Sequence, residues 1–361
     1  MANFVASQLV AAQAKITQRF QEQELRRKQN PAAALAFKNL SATIPGHVEL
    51  RGREDRPVSA YVFARKAATN GTARASRPSG PKGNTFAYGL TWQTISESFN
   101  ISLKQGDSNL FSREEMLQNE LMQAVQAIHD RLGTTLLAYI SAHRNGLPLT
   151  SPSGASWNTD NNAYEIASGD ATFFFQKLGA IMRQHNYRGL LDVIGDSTAF
   201  QKASQLRAQG QQNAQNLAFQ FDNINLLETT EAVTAVAGYT KGAAFAMPEA
   251  TLALLPWIPK QNRNGWGDMD TYNGGYGIMD DPFGTSIMVS VPDPTAPGKI
   301  ISIPVPLQYA VYAYTVPSDD SANNGGTQDQ VTTFEISLDI APTLAPLSGV
   351  NESVCSLFAQ L

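Results

Sequence analysis

The sequence predicts an α+β protein in which one very long helix packs against a sheet and a compact α/β unit follows. Three observations predict this class. Two segments before residue 105 have strand composition, an apolar repeat of three or four residues runs from about residue 113 to 144, and helix-like and strand-like segments alternate after residue 166. No repeat of fixed period occurs, which excludes solenoids and propellers.

The composition fits a large globular protein. Of its 361 residues, 42% are hydrophobic and only 16% are charged, which suits a sizeable core and, by length, two or three domains. A single cysteine, Cys355, excludes an internal disulfide framework and a multi-cysteine zinc site. No run approaches the ~20 apolar residues of a membrane helix, and the start lacks the order of a signal peptide, so we expect a soluble protein made inside the cell.

The net charge of -4 conceals a strong asymmetry along the chain. Residues 1–105 hold 15 Lys and Arg against 6 Asp and Glu, whereas the remaining residues hold 12 against 25. A basic front and an acidic body can attract each other between copies of the chain. Nucleic acid is the alternative partner for the basic part.

The N-terminal 57 residues are predicted to form an arm. Residues 1–30 show an amphipathic helical pattern that ends in the charged stretch EQELRRKQN before Pro31. Residues 31–57 show no sustained period and are predicted to be extended.

A β-hairpin is predicted after the arm, because VSAYVFARKA and TFAYGLTWQTISESFNISLKQ are both rich in β-branched and aromatic residues. Its end is the Gly-, Pro- and Ser-containing stretch Ala64–Asn84, which contains no acid and no aromatic residue. This stretch carries five basic residues: Arg65, Lys66, Arg74, Arg77 and Lys82.

This cationic stretch has three possible roles. It is a merely solvated loop, a DNA contact, or an arm that reaches across a more acidic neighbouring subunit. Loops that bind nucleic acid usually interleave aromatic residues that stack on bases, and this one has none. We favour the arm, because the rest of the chain supplies an acidic partner.

The clearest predicted element is a helix over residues 113–144, about 48 Å long at 1.5 Å per residue. Ser112 and Glu115 have the spacing of a capping box. Gln118 and Gln126 are expected on a face that tolerates substitution. Apolar residues at helical spacing are expected to form the core face of the helix: Leu117, Leu121, Val125, Ile128 and Leu132.

Helices and strands are predicted to alternate in the second half. We expect a helix capped by Asp170, a short buried strand in GLLDVIGD, and a helix that is capped by Asp196 and ends at Gly210. The stretch LAFQFDNINLLE is predicted to be a further strand.

The last third is predicted to be mostly strand. One exception is MPEATLALLPWIPK, which is predicted to be a short helix with Pro248 near its first turn. Two long strands then follow, in IISIPVPLQYAVYAYTV and QVTTFEISLDIAPTLAP.

The sequence contains no recognisable catalytic motif. The four histidines lack metal-binding spacing, and no nucleophile elbow, phosphate-binding loop or zinc-protease motif occurs, so we predict no catalytic, cofactor-binding or metal-binding residue. The acidic stretch 268–281 is the best cation candidate. Asp268 and Asp270 match a calcium loop, but Met279 stands where the bidentate Glu belongs. A solvated loop is favoured, and a calcium site stays open.

The order of these elements resembles the major capsid proteins of tailed bacteriophages, which have the Hong Kong 97 fold. The resemblance is architectural and covers nearly the whole chain. It rests most on SREEMLQNELMQAVQAIHDRLGTTLLAYISAHRN as a spine helix and on NYRGLLDVIGDSTAFQKASQLRAQGQ as the opening of an A-domain. It implies an N-terminal arm (1–57), an E-loop hairpin (58–105), a P-domain with the spine helix (106–165), an A-domain (166–305), and late strands returning to the P-domain with a C-terminal tail (306–361).

The resemblance implies a structural protein, not an enzyme, that self-assembles into the icosahedral head shell around the phage double-stranded DNA genome. The implied partners are copies of itself in hexamers and pentamers, a portal protein, a scaffolding or decoration protein, and DNA by weak non-specific contact. No membrane and no cofactor are expected. The implied location is the virion, after assembly in the host cytoplasm.

Two other functions remain open at this point. The shell of an encapsulin-type cellular compartment shares the fold, and an enzyme of unknown type is a more distant alternative. Some capsid proteins carry a removable scaffolding segment ahead of the arm. The predicted helix begins near residue 112 and leaves no room for one, so we expect a separate scaffolding protein or none.

Some members of this family lock their shells with an isopeptide bond from an E-loop lysine. Lys82 lies between Pro81 and Gly83, and Lys66 lies beside Arg65, so neither is predicted to sit rigidly beside a carboxylate in an apolar pocket. We expect non-covalent shells that keep the N-terminal segment. Particles boiled in detergent should give a single gel band near 39.0 kDa. A ladder of covalent oligomers or a shortened band would contradict this.

Overall fold

The structure is a computed structural model. It describes residues 11–18, 34, 36–37, 44, 46–63, 85–102, 112–144, 155–167, 169, 174–184, 189–211, 224–229, 242–249, 251–263, 275–292, 294–296, 300–318, 329–344 and 356–360. Residues 11–18 are helical. The further described helices are α1 (His47–Gly52), α2 (Arg113–Ala142), α3 (Phe174–Gln184), α4 (Ser197–Gln211) and α5 (Lys260–Arg263).

Strands occur along the whole described chain. Those before residue 230 are β1 (Ser59–Phe63), β2 (Thr85–Gly89), β3 (Gln93–Ser102), β4 (Ala155–Asn158), β5 (Ala163–Ile166), β6 (Leu191–Gly195) and β7 (Ile224–Glu228). Those after it are β8 (Ala243–Pro248), β9 (Leu252–Trp257), β10 (Gly275–Asp280), β11 (Ser286–Pro292), β12 (Ile300–Pro306), β13 (Gln308–Ser318), β14 (Asp329–Leu344) and β15 (Ser356–Gln360).

Helix α2, called the long helix below, begins at a complete capping box. The Glu115 backbone N–H donates to Ser112 Oγ at 3.3 Å, and the Ser112 backbone N–H donates to Glu115 Oε2 at 2.9 Å. The helix runs for 30 residues and ends at Ala142, two residues before the predicted end. Its apolar stripe is buried throughout and includes Leu117, Leu121, Val125, Ile128, Leu132, Leu136 and Ile140.

Five strands form the large sheet, on which the long helix packs. Its order is β10-β13-β14-β3, and β9 also pairs with β14. Asp339 and Ile340 of β14 pair with β3 on one side and with β9 on the other. Because β13 also lies on the side of β14 opposite β3, β9 and β13 share that side, and β9 pairs beyond the start of β13. The 16-residue strand β14 is therefore the centre of the sheet.

The large sheet has two chemically different faces because side chains alternate along its strands. In β14, Phe334, Ile336 and Leu338 are buried in the same apolar cluster as the long helix, so they define the inner face. Glu335 and Ser337 point to the opposite, outer face, where Glu335 is exposed. This alternation is why a strand pattern was recognisable in the sequence.

A six-stranded mixed sheet forms a second layer, with the order β4-β5-β15-β8-β6-β7. Strand β6 is buried along its whole length and pairs parallel with β7 and antiparallel with β8. As predicted, Asp196 caps α4. Its Oδ1 accepts from the Ala199 N–H at 2.7 Å, and its Oδ2 accepts from the Ala243 N–H at 2.9 Å, which ties the helix start to β8.

Two antiparallel hairpins complete the described fold: β1 pairs with β2, and β11 pairs with β12. Mixed helices and sheets agree with the predicted α+β class. The domain boundaries remain predictions.

Four expectations need correction. The predicted helix in MPEATLALLPWIPK is the end of β8 and the strand β9, because LALLPW is apolar at nearly every position and such a run has no period that separates strand from helix. The extended arm contains the short helix α1. The first late strand is divided at Leu307 into β12 and β13, which belong to different sheets. Gln118, expected on the tolerant face, is only 6% exposed.

The buried stripe of the long helix should dominate stability. Leu121→Ala or Leu132→Ala leaves a cavity and should lower the free energy of unfolding by about 2–5 kcal/mol. Gln123, which is exposed on the same helix, supplies the matched control Gln123→Ala. Urea unfolding followed by circular dichroism measures the difference. A similar loss in all three variants would show that the helix face is assigned wrongly.

Candidate functional site

The five basic residues predicted at the hairpin end, Arg65, Lys66, Arg74, Arg77 and Lys82, lie outside the described residues. Their role in contacts between subunits therefore stays a prediction. The strands that flank them are described, and Phe63 at the end of β1 pairs with Thr85 at the start of β2. The two ends of the cationic stretch 64–84 thus meet at neighbouring strands.

We call residues 57–58 and 90–92, which flank β1 and β2, the hairpin root. Hydrogen bonds join its two sides. The Leu90 N–H donates to Val58 O at 2.9 Å. Trp92 Nε1 donates to Pro57 O at 2.6 Å, and the Trp92 ring meets the Trp257 ring edge-on at a centroid distance of 6.5 Å. The chain that enters the hairpin is therefore held against β9.

A second set of bonds holds the chain just before the hairpin. The Arg263 guanidinium donates to Gly52 O at 2.9 Å, to Arg53 O at 2.8 Å and to Ile258 O at 2.7 Å. Its planar fork of donors can serve three carbonyl groups at once, which an ammonium group on a flexible stem does less well. Trp257 Nε1 donates to the same Arg53 oxygen at 3.1 Å.

Polar side chains connect the root to the large sheet as well. Arg56 Nη1 donates to Thr94 Oγ1 at 3.1 Å and lies 3.6 Å from Asp339 Oδ1, and Thr94 Oγ1 also donates to Asp339. Lys260 and Glu54 form an exposed ion pair at 2.9 Å. Exposed pairs contribute little singly, so the significance of this network is positional: it orients the hairpin relative to the sheet.

Two large apolar side chains remain exposed at this hairpin. Val58 is 78% exposed and Tyr61 is 58% exposed, whereas Ala60 between them is fully buried. Among the described residues, the anchored hairpin therefore presents two apolar side chains to solvent.

His129 of the long helix belongs to a buried polar cluster. His129 Nε2 lies 2.8 Å from Asp281 Oδ1, the Tyr309 hydroxyl donates to the same oxygen at 3.0 Å, and the Thr285 N–H donates to Asp281 Oδ2 at 2.7 Å. The His129 ring also packs on Phe283 at a centroid distance of 4.7 Å. Both carboxylate oxygens are thus used by protein groups inside the core, so the cluster links the long helix to the chain around β10, β11 and β13.

Sequence reasoning missed this cluster because Asp281 ends an acidic stretch that was expected to be solvated. Asp281 is in fact 7% exposed, and its neighbour Asp280 accepts from Gln308 Nε2 at 2.9 Å. Residues 268–274 of that stretch lie outside the described residues. Within the described part of the chain, no group of three or more His, Cys, Asp or Glu side chains could hold a metal ion.

None of the helices in the described ranges combines the length and apolarity needed to cross a membrane.

Comparison with solved structures finds extensive but distant similarity. The structure from Mycobacterium phage Bobi is 13% identical over 92% of this chain and 91% of that chain, with a TM-score of 0.44. The capsid structure of the cyanophage P-SCSP1u is 10% identical over 84% of each chain, with a TM-score of 0.43. These similar structures are phage capsids.

The capsid of a native GTA particle is also similar to this chain, at 11% identity over 92% of this chain and 90% of that chain, with a TM-score of 0.36. No protein-family profile matches the sequence, and no curated protein matches it significantly.

The Tyr309 hydroxyl in the buried cluster predicts a loss of stability at high pH. Burial, and then the charge of Asp281, raise the pKa of Tyr309 well above its ordinary value of 10. Above pH 10, the Tyr309 hydroxyl loses its proton in the unfolded chain but keeps it in the folded protein. The free energy of unfolding therefore falls as the pH rises from about 10 towards the folded-state pKa.

The urea midpoint should therefore decrease as the pH rises above about 10, and Tyr309→Phe should make that decrease smaller. Tyr61→Phe, at an exposed position, is the matched control and should leave the decrease unchanged. Equal decreases in the wild type and Tyr309→Phe would refute the role assigned to Tyr309.

Proposed function

We propose that this protein is a structural subunit that self-assembles into the icosahedral head shell of a tailed bacteriophage and encloses its double-stranded DNA. The observation that carries the proposal is the order and packing of the elements. An anchored hairpin precedes a 30-residue capped helix that packs along a large sheet, and a mixed α/β layer follows. This is the order that the resemblance to capsid proteins of the Hong Kong 97 fold implies.

The architecture suits repeated assembly. The long helix extends about 45 Å at 1.5 Å per residue and shares one apolar core with the large sheet. This gives each subunit a stiff body. Closed symmetric shells arise when identical rigid subunits repeat the same contacts. The anchored hairpin can act as the E-loop, which would carry the cationic stretch 64–84 to a neighbour.

Charge supports attraction between copies. The front of the chain, up to residue 105, has an excess of nine basic groups, and the remainder has an excess of thirteen acidic groups. Complementary surfaces of this kind steer association and weaken with salt. We assign no catalytic role to His129 or Asp281, since both serve the core. The further proposed partners are a portal protein, a scaffolding or decoration protein, and packaged DNA by weak non-specific contact, in virions assembled in the host cytoplasm.

The purified protein, alone or with phage scaffolding components, should form large uniform particles. Size-exclusion chromatography followed by negative-stain electron microscopy measures this directly. A protein that stays monomeric at every salt and crowding condition, with and without those components, would refute the proposal. Particles that instead enclose a specific enzyme would favour the encapsulin-type alternative.

Replacement of Arg65, Lys66, Arg74, Arg77 and Lys82 by Gln should reduce the yield of particles and make that yield less sensitive to salt. The melting temperature of the monomer should stay nearly unchanged, because exposed charges contribute little to folding. Particle yields at several NaCl concentrations and a thermal melt provide the two measurements. Normal yield and salt dependence would show that the stretch is only solvated.

A further inference from the structure

The charged residues in four strands of the large sheet are all acidic. Its strands β3, β10, β13 and β14 contain no Lys and no Arg. They contain five acidic residues: Glu97, Asp280, Asp329, Glu335 and Asp339. The cationic stretch 64–84 has the opposite composition, with five basic residues and no acidic one. The two segments are therefore complementary in charge.

On the outer face of the large sheet, strand register places four polar or aromatic residues in one row. Tyr276 of β10 is opposite Tyr312 of β13, Tyr312 is opposite Glu335 of β14, and Glu335 is opposite Ser98 of β3. The Tyr276 and Tyr312 rings lie 4.8 Å apart, and Tyr314 extends the aromatic surface at 5.5 Å from Tyr312. We call the four residues in register, Tyr276, Tyr312, Glu335 and Ser98, the tyrosine row.

An open cleft of about 290 Å³ lies along the tyrosine row. Tyr276, Tyr312, Glu335 and Ser337 form its floor, and Gln261 of α5 borders it. The amide of Asn262 is already committed, since its Nδ2 donates to Gly277 O at 3.0 Å and to Val311 O at 3.1 Å. The cleft thus offers ring surfaces, one carboxylate and small polar groups.

Glu335 is the acidic group available in this cleft. It is exposed, and it makes no hydrogen bond or ion pair with the described residues. Asp339, on the same face, is by contrast engaged by Arg56 and Thr94. Burial raises the pKa of Tyr312, as do Tyr276, Tyr314 and Glu335, so the surroundings of this hydroxyl disfavour further negative charge.

These features favour a positively charged ligand over a negatively charged one. A cation over tyrosine rings is attracted by their electron-rich faces, and Arg does this most often because its planar guanidinium also stacks and pairs with a carboxylate. A nucleic-acid phosphate is repelled by Glu335 and meets no basic partner on these strands. A basic protein segment fits the cleft better than any anion.

We propose that the tyrosine row binds an Arg or Lys side chain of the stretch 64–84 from a second copy of this chain. The inference rests on the proposed function, because it names the surface that would receive the hairpin end of a neighbouring subunit. Glu335 pairs with the basic group, and Tyr312 and Tyr276 hold its apolar stem and its charge.

The test measures binding of a fluorescent peptide with the sequence ARKAATNGTARASRPSGPKGN to the full-length protein by anisotropy, at a concentration where the protein is monomeric. Binding should weaken about two- to fivefold in Glu335→Gln and in Tyr312→Leu, as expected for one ion pair or one cation–π contact. Glu97→Gln is the matched control, since it removes an exposed charge from the same sheet at a position outside the tyrosine row. A peptide with all five bases replaced by Gln should not bind.

Unchanged affinity in Glu335→Gln and Tyr312→Leu, or no binding to the wild type, would overturn the inference. Tighter competition by a peptide of residues 19–30, the other basic segment, would overturn the choice of occupant. Particle formation separates the two proposals. Particles that form with the same yield in wild type, Glu335→Gln and Tyr312→Leu would leave the proposed function standing and refute this surface, whereas peptide binding without any particle formation would refute the proposed function alone.

Discussion

The contact between the long helix and the large sheet is the constraint on which the rest of the molecule depends. Residues 93–102 and 329–344, from opposite ends of the chain, pair beside each other and share one apolar core with this helix. Packing alone allows sliding along such a surface, because apolar contacts are not directional. The bond from His129 to Asp281 sets the position of helix on sheet, and the Tyr309 hydroxyl and the Thr285 N–H offset the cost of burying the carboxylate.

The elements that were predictable from sequence are those governed by local interactions. The capping box at Ser112 and Glu115 and the alternation in β14 depend on neighbours a few residues away, and both are present. Strand β9 was predicted wrongly because it is buried on both faces, so its composition lacks a period. Asp281 could not be recognised as a core residue, since its partner His129 is 152 positions away in the chain.

The same distinction applies to the candidate site. The strands of the hairpin follow from their composition, whereas its anchoring depends on Arg263 reaching Gly52 across 211 positions. The sequence near either residue does not indicate this hydrogen bond between Arg263 and Gly52. The cationic stretch 64–84 lies outside the described residues, so its role and the proposed domain boundaries stay predictions. The tyrosine row likewise emerges only from strand register, because Tyr276, Tyr312 and Glu335 belong to three strands.

Strand β15 has a consequence for the timing of folding. It lies between β5, with which it runs parallel, and β8, with which it runs antiparallel. The six-stranded sheet therefore has a vacant central position until residues 356–360 have left the ribosome, and β3 must also wait for β14. Pairings of such long sequence separation form slowly. The last steps that close both sheets therefore join segments that are far apart in the chain, and we expect these steps to limit the rate of folding.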